Sequence, residues 1–163
     1  MTEFWDLVDK DGKDAHIKWR RDEHDKIPNG LYHPCVEVWV RVGDKILVAQ
    51  RHPNKSEGLK YDAPGGAVIS GEDMLSAAAR ELEEEVGISV SADSLERLGV
   101  VLGGVGYAVS YLLCLDDLPE LRLQPTEVVG YKLVSREELD AMTDELCANC
   151  ARRYFIYREK LFK

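Results

Sequence analysis

The sequence predicts an α/β fold of the α+β kind, and three observations carry that expectation. Short apolar runs are separated by turn signals along the whole chain. Residues 32–42 alternate with the period of a strand, setting Val36, Val38 and Val40 opposite Glu37, Trp39 and Arg41. Residues 72–86 combine strong helix formers with apolar positions at Leu75, Ala79, Leu82 and Val86. The chain has 163 residues, 45% of them hydrophobic. That is enough for one well-buried core and too little for two, so residues 1–163 are expected to form a single domain.

In chain order, Asp11-Gly12 reads as the turn of a hairpin and Pro28-Asn29-Gly30 closes the opening segment. The strand at 32–42 turns at Gly43-Asp44 into a second strand at 46–50. Residues 52–63 have no clear period and carry His52, Pro53, Asn54, Lys55 and Gly58, so they read as a long loop leading to Pro64-Gly65-Gly66. A short apolar stretch at 67–69 precedes the helix at 72–86, which Gly87 stops. Further strands are expected at 97–102, 107–115 and 128–134. Ser135 with Glu138 resembles a capping box for a short helix, and 144–160 reads as a terminal helix.

The formal net charge is −9, which gives no general electrostatic reason to bind nucleic acid or an acidic membrane. An anionic ligand would need metal ions or a local basic patch. The opening MTEFWDLVDKDGKD has acids where a signal peptide needs a basic stretch and an apolar run, and no later segment approaches the length of a membrane span. A cytoplasmic enzyme is therefore expected. Cys35, Cys114, Cys147 and Cys150 lack the spacing of a disulfide scaffold and are expected as reduced thiols; Cys147-x2-Cys150 has no second close pair to complete a zinc site. Asp9-x-Asp11-Gly12 hints at a calcium loop but has Leu7 and Lys18 where oxygen ligands belong, so it reads as a turn.

The chemistry concentrates on the central helix. Glu81, Glu84 and Glu85 are related by the spacings that share a helix face, within an arc of about 100° placed away from Leu75, Ala79, Leu82 and Val86. Three like charges so close repel, and a hard cation such as magnesium or manganese is one way to offset that. On the helix alone, a solvated acidic face is the better explanation of them. Gly65-Gly66 permits a close backbone approach that can aim a carbonyl at the same place. Glu72 suits the positive end of the helix, and Arg80 can hold a carboxylate with both arms of its guanidinium.

The residues Gly66, Glu72, Arg80, Glu81, Leu82, Glu84, Glu85, Gly87 and Ile88 occur at the spacing G-x5-E-x7-R-E-U-x-E-E-x-G-U, where U is aliphatic. A chance match is on the order of one in a billion per window. This string resembles the Nudix box over residues 66–88. The resemblance implies an α/β/α sandwich with a mixed sheet and a Mg2+-dependent hydrolase, with Mn2+ as a possible substitute, that cleaves a small-molecule diphosphate such as a nucleoside diphosphate derivative. It implies metal ligation by Glu81, Glu84 and Glu85 with the Gly66 carbonyl, and offers Glu81 as an alternative proton acceptor. Glu72 and Arg80 join the catalytic set. Glu127 resembles a late acidic residue that reaches the metals, and a homodimer is the assembly the family suggests.

The flanks narrow this further. Glu3-Phe4-Trp5-Asp6, Tyr32-His33, Ile46-Leu47, Gln50-Arg51 and Lys55 are similar to the branch related to isopentenyl diphosphate isomerase. Aligning on Gly71-Glu72 puts Gly65 where that enzyme carries a catalytic cysteine, so hydrolysis is expected over isomerisation, and over a non-catalytic sensor module because the acidic set is intact. Arg51, Lys55, Arg20 and Arg21 are the candidates for gripping phosphates. Tyr107 and Trp19 could stack on a base or lie in the core.

Overall fold

The computed structural model describes residues 1–163. Its first two strands, β1 (Phe4–Val8) and β2 (Asp14–Arg20), form a separate two-stranded hairpin. Asp9 shapes the turn, its carboxylate accepting from the Asp11 and Lys13 amides at 2.8 and 3.0 Å. The Asp-x-Asp-Gly string is therefore a hairpin device. Trp5 and Leu7 are buried with Ile27 beneath the hairpin, and Trp19 packs on this cluster while its Nε1 donates to the Glu23 carbonyl.

The main sheet has seven strands: β3 (His33–Val42), β4 (Lys45–Arg51), β5 (Tyr61–Asp62), β6 (Gly65–Ala67), β7 (Glu96–Gly103), β8 (Gly106–Leu115) and β9 (Val128–Val134). It is mixed. β3 runs parallel to β8 from His33↔Gly106 to Val42↔Leu115, and the remaining pairs are antiparallel. Because β8 takes one whole edge of β3, β6 and β4 share the other: β6 pairs Cys35 to Glu37 and β4 pairs Val40 to Val42. β4 then splays from β3 and offers Ala49 and Gln50 to β5. Residues 61–67 thus fill a fork in the sheet, where a featureless loop is expected up to 63.

Helix α1 (Met74–Val86) covers one face of the sheet; α2 (Arg136–Ala141) and α3 (Ala148–Leu161) cover the other, giving the α/β/α sandwich. Val36, Val38 and Val40 face α1 with Ala77, Ala78, Leu82 and Val86. Trp39, Ile46, Val48 and Leu112 face α3 with Cys150, Tyr154, Tyr157 and Leu161. The strand at 32–42 is accordingly covered on both faces, and even Glu37 is buried. Leu82 is fully enclosed, so truncating it to alanine costs about 2–5 kcal/mol. Tyr107 is core as well, its hydroxyl set against Gly12 of the hairpin turn.

Two helix starts differ from expectation, each for a local reason. α1 begins at Met74 because Asp73 caps it, accepting from the Ser76 amide at 2.8 Å; Glu72 therefore precedes the helix. Gly87 ends it with φ of +77°. α3 begins at Ala148 because Leu146 bridges to Tyr61 and the Cys147 amide donates to the Tyr61 carbonyl at 2.9 Å. The Ser135–Glu138 capping box forms as predicted.

Candidate active site

The fork brings Gly65 and Gly66 against α1. A Cβ at Gly65 would lie 2.2 Å from the Val36 carbonyl oxygen, and one at Gly66 would lie 2.4 Å from Glu81 Oε1. At Gly65 the obstacle is backbone, so proximity requires glycine there; at Gly66 it is the carboxylate of Glu81, which a side chain would displace. The Gly65 amide donates to Glu85 Oε2 at 3.1 Å, tying β6 to the helix.

The three helix glutamates differ in environment. Glu84 is half exposed, Glu81 keeps 14% of its side-chain surface, and Glu85 is buried. This corrects the expectation of a solvated arc opposite the apolar stripe. The stripe actually runs through Ala77, Ala78, Leu82 and Val86, with Leu75 and Ala79 half-buried at its margin, so Glu85 borders the core. Burial pushes the Glu85 carboxyl up to about 8, opposed by the Gly65 amide and reinforced by the negative charge of Glu81. Burial raises Glu81 too, against the pull of the Arg80 guanidinium.

Arg80 is the hub. Its Nε and Nη2 meet the two oxygens of Glu72 at 2.8 and 3.0 Å, Nη1 reaches Glu81 at 2.9 Å and Glu84 at 3.2 Å, and Nη2 also donates to the Ala67 carbonyl. Glu72 in turn accepts from the Ile69 amide. The guanidinium is thus held by charge-assisted bonds on every side.

Arg80, the three helix glutamates and Gly65-Gly66 line a cavity of about 240 Å³, with Glu72 outside it. Lys55, paired with Glu127, and Gln124 close one side of it; Glu3 and Arg21 of the N-terminal segment close another. Arg20 is not among its walls: it is half exposed and paired with Asp22. β2 ends at Arg20, and Arg21, the first residue of the short 3-10 helix that follows (Arg21–Lys26), is the one of the two at the cavity wall. No three carboxylates, imidazoles or thiols converge on one point, because Arg80 stands between Glu81 and Glu84 and Lys55 engages Glu127. The donors are nonetheless the hard oxygens that magnesium or manganese prefers, gathered at a glycine cradle that any Cβ would fill. They fit such an ion once these contacts are exchanged.

A second cavity, of about 370 Å³, lies between α3 and the strands β7 and β8, with His33, Arg51, Asp62, Asn149 and Arg153 in its walls. A small pocket of about 20 Å³ shares Arg51 and Asp62 with this cavity and Lys55, Gly65 and Glu127 with the acidic one. Arg51 is fixed there by Asp62 at 3.3 Å and by the Ser56 carbonyl at 2.9 Å. Behind it, Glu37 accepts from Ser110 Oγ at 2.6 Å and Trp39 Nε1 at 2.9 Å, while Arg153 Nε sits 2.8 Å from its other oxygen without hydrogen-bond alignment. Burial raises Glu37 and the Arg153 charge opposes that rise. Cys35, Cys147 and Cys150 are free thiols whose pKa burial raises, to about 11 for Cys35 and about 12 for Cys147. Sequence reading missed Glu3, Gln124, Asp62, Glu37 and Arg153. Only Glu37 left a signal, as a lone acid in an otherwise apolar strand.

Fold and acidic site together define a hydrolase acting on diphosphate bonds. The chain belongs to the NUDIX family, whose domain matches residues 31–154. A Nudix hydrolase of Clostridium acetobutylicum is 26% identical over 156 residues, spanning 87% of this chain and 74% of that one. In fold the chain is similar to the DR0079 protein of Deinococcus radiodurans, with a TM-score of 0.75 at 21% identity, covering 99% of this chain and 100% of the other. It is also similar to a bifunctional NMN adenylyltransferase/ADP ribose pyrophosphatase of Francisella tularensis, solved with AMP and a manganese ion. That likeness has a TM-score of 0.68 at 22% identity and covers 86% of this chain but only 46% of the neighbour. No helix is long and apolar enough to cross a membrane.

Proposed function

We propose that residues 1–163 act as one domain that hydrolyses the phosphoric anhydride bond of a nucleoside diphosphate derivative or a related small organic diphosphate, with magnesium as the working cation and manganese as a substitute. The observation that carries this reading is the gathering of Glu81, Glu84, Glu85 and Glu127 around Gly65-Gly66 in one cavity. Glu81, Glu84, Glu85 and the Gly66 carbonyl would hold the cation, with Glu127 reaching it from the far wall. When bound, the cation supplies charge neutralisation at the phosphoryl oxygens and a lowered pKa for the attacking water.

The chain's own groups do the rest. Arg80, braced by Glu72, fixes the rotamers of Glu81 and Glu84. A carboxylate of this set takes the proton of the attacking water. Lys55 and Arg51 lead from the acidic cavity towards the larger one, which has room for the organic part of the substrate. A Francisella tularensis protein with an ADP ribose pyrophosphatase activity, 46% of which shares this fold, was solved with AMP and manganese, in keeping with a nucleotide-like ligand. Isomerisation is disfavoured because position 65, where the isomerase carries its catalytic cysteine, is a glycine and offers no thiol.

The test is a panel of nucleoside diphosphates, nucleotide sugars and other organic diphosphates assayed for product release with magnesium, using Glu81→Gln, Glu84→Gln and Glu85→Gln as controls. Turnover that survives all three substitutions would sink the mechanism.

A further inference from the structure

The larger cavity has unfinished hydrogen bonding. His33, Asp62 and Arg153 all stand in its walls, and His33 Nδ1, Asp62 Oδ1 and Arg153 Nε are buried with no hydrogen-bond partner. Folded proteins rarely leave buried polar atoms in that state. We propose that this cavity holds a hydroxylated, sugar-like group of the substrate, so that the preferred substrates are diphosphates carrying a sugar. This rests on the hydrolase reading above and assigns it a substrate class.

The chemistry of the walls narrows the ligand. An Asp62 carboxylate only accepts, the Arg153 guanidinium only donates, the His33 ring does one or the other at each nitrogen, and the Asn149 carboxamide does both. A hydroxyl answers all four, because it donates once and accepts twice. An anion finds no surplus charge: Arg51, Arg152 and Arg153 are matched by Asp62, Glu57 and the Glu37 paired to Arg153. Arg51 already meets Asp62 at 3.3 Å, and Arg152 donates to the Leu102 carbonyl at 2.7 Å. A nucleobase lacks its platform, since His33 carries the one ring in these walls and that ring is already stacked on Trp5 at 4.2 Å. An apolar chain would leave the buried polar atoms unpaired. The volume of about 370 Å³ falls within the range of small-molecule sites. The cavity also adjoins the acidic one, because Arg51 and Asp62 wall the small pocket that contains Lys55, Gly65 and Glu127.

The experiment measures binding by calorimetry with magnesium, using two methylenebisphosphonate monoesters whose P–C–P bridge resists hydrolysis. One is the ribos-5-yl ester; the other is the tetrahydrofurfuryl ester, which keeps the ring and lacks the hydroxyls. Wild type is expected to bind the ribosyl ester about tenfold or more tightly, as a site built to hydrogen-bond hydroxyls rejects an analogue without them. Asp62→Asn should shrink that preference to about threefold or less, and so should Asn149→Ala, a change at an exposed position that spares the fold. Both variants should keep the tetrahydrofurfuryl ester within about twofold of wild type. Equal wild-type affinities, or a preference untouched by both substitutions, would overturn the assignment. Binding of neither ester by a protein that turns over other diphosphates would overturn it too. Failure to hydrolyse any organic diphosphate would instead count against the hydrolase reading, and the comparison of the two esters would still judge the cavity.

Discussion

Arg80 and Glu72 are joined by two parallel bonds, Nε to Oε1 at 2.8 Å and Nη2 to Oε2 at 3.0 Å, although Glu72 stands outside the helix that carries Arg80. The pair fastens the loop before α1 to the face that presents Glu81 and Glu84. Lysine keeps the charge but cannot make the fork. Arg80→Lys is therefore expected to lower kcat roughly 10- to 100-fold, with KM changed less and the melting temperature within a few degrees of wild type. Steady-state kinetics beside thermal unfolding checks this. A large loss of stability at unchanged kcat would make the pair purely structural.

Glu85 sets a pH dependence. Its pKa in the folded chain, about 8, lies above the ordinary 4.5. Across that window the folded state keeps a proton that the unfolded state has released, so stability is greatest below it and falls as pH rises through it. Glu85→Gln is expected to flatten this slope and, without divalent cation at pH 8.5, to raise the melting temperature by roughly 5 °C while abolishing turnover. Added magnesium should stabilise wild type at pH 8.5 more than the variant. Thermal scans from pH 5 to 9 in chelator would expose an unchanged slope.

The two glycines of the fork separate folding from chemistry. At Gly66 the added Cβ meets the far end of Glu81, which can swing aside; at Gly65 it meets the Val36 backbone, which cannot. Gly66→Ala should fold almost as wild type yet lose about 10²-fold or more in kcat/KM. Gly65→Ala should lose about 2–4 kcal/mol of stability. Urea unfolding and activity measured on both variants would show the dissociation, or its absence.

Buried Glu37 pairs with the partly buried Arg153, which lines the larger cavity. Glu37→Leu alone strands the guanidinium, at a cost of about 3–5 kcal/mol. Combining it with Arg153→Met should recover most of that loss, because two apolar side chains need no partner. The double-mutant cycle reads the coupling directly, and additive losses would show that the pair is not coupled.

Much of this was legible beforehand because the signals are local. The period of 32–42, the helix formers of 74–86 and the capping box at Ser135 each act within a few residues, and the glutamate spacing needs only the helical repeat. What escaped depends on partners far along the chain. That Glu85 faces inward follows from β6 filling the sheet fork, and β6 has just three residues with two glycines among them. Arg20 and Arg21 are alike in sequence, and only the passage from β2 into the short 3-10 helix sets the second at the cavity wall. The buried Glu37 gives itself away as an acid among valines, but its partner lies on a helix more than a hundred residues later.

The ten-residue parallel pairing of β3 with β8 also orders events in time. During synthesis, α1 leaves the ribosome before the strand that pairs with the long edge of β3, which ends 29 residues later, at Leu115. At about 5–20 residues per second, that interval lasts roughly 1.5–6 s. Pairing over such a distance is also slow on the contact-order scale. The nascent chain thus carries an amphipathic, acid-flanked helix while its sheet still lacks the strands that follow it, β7, β8 and β9.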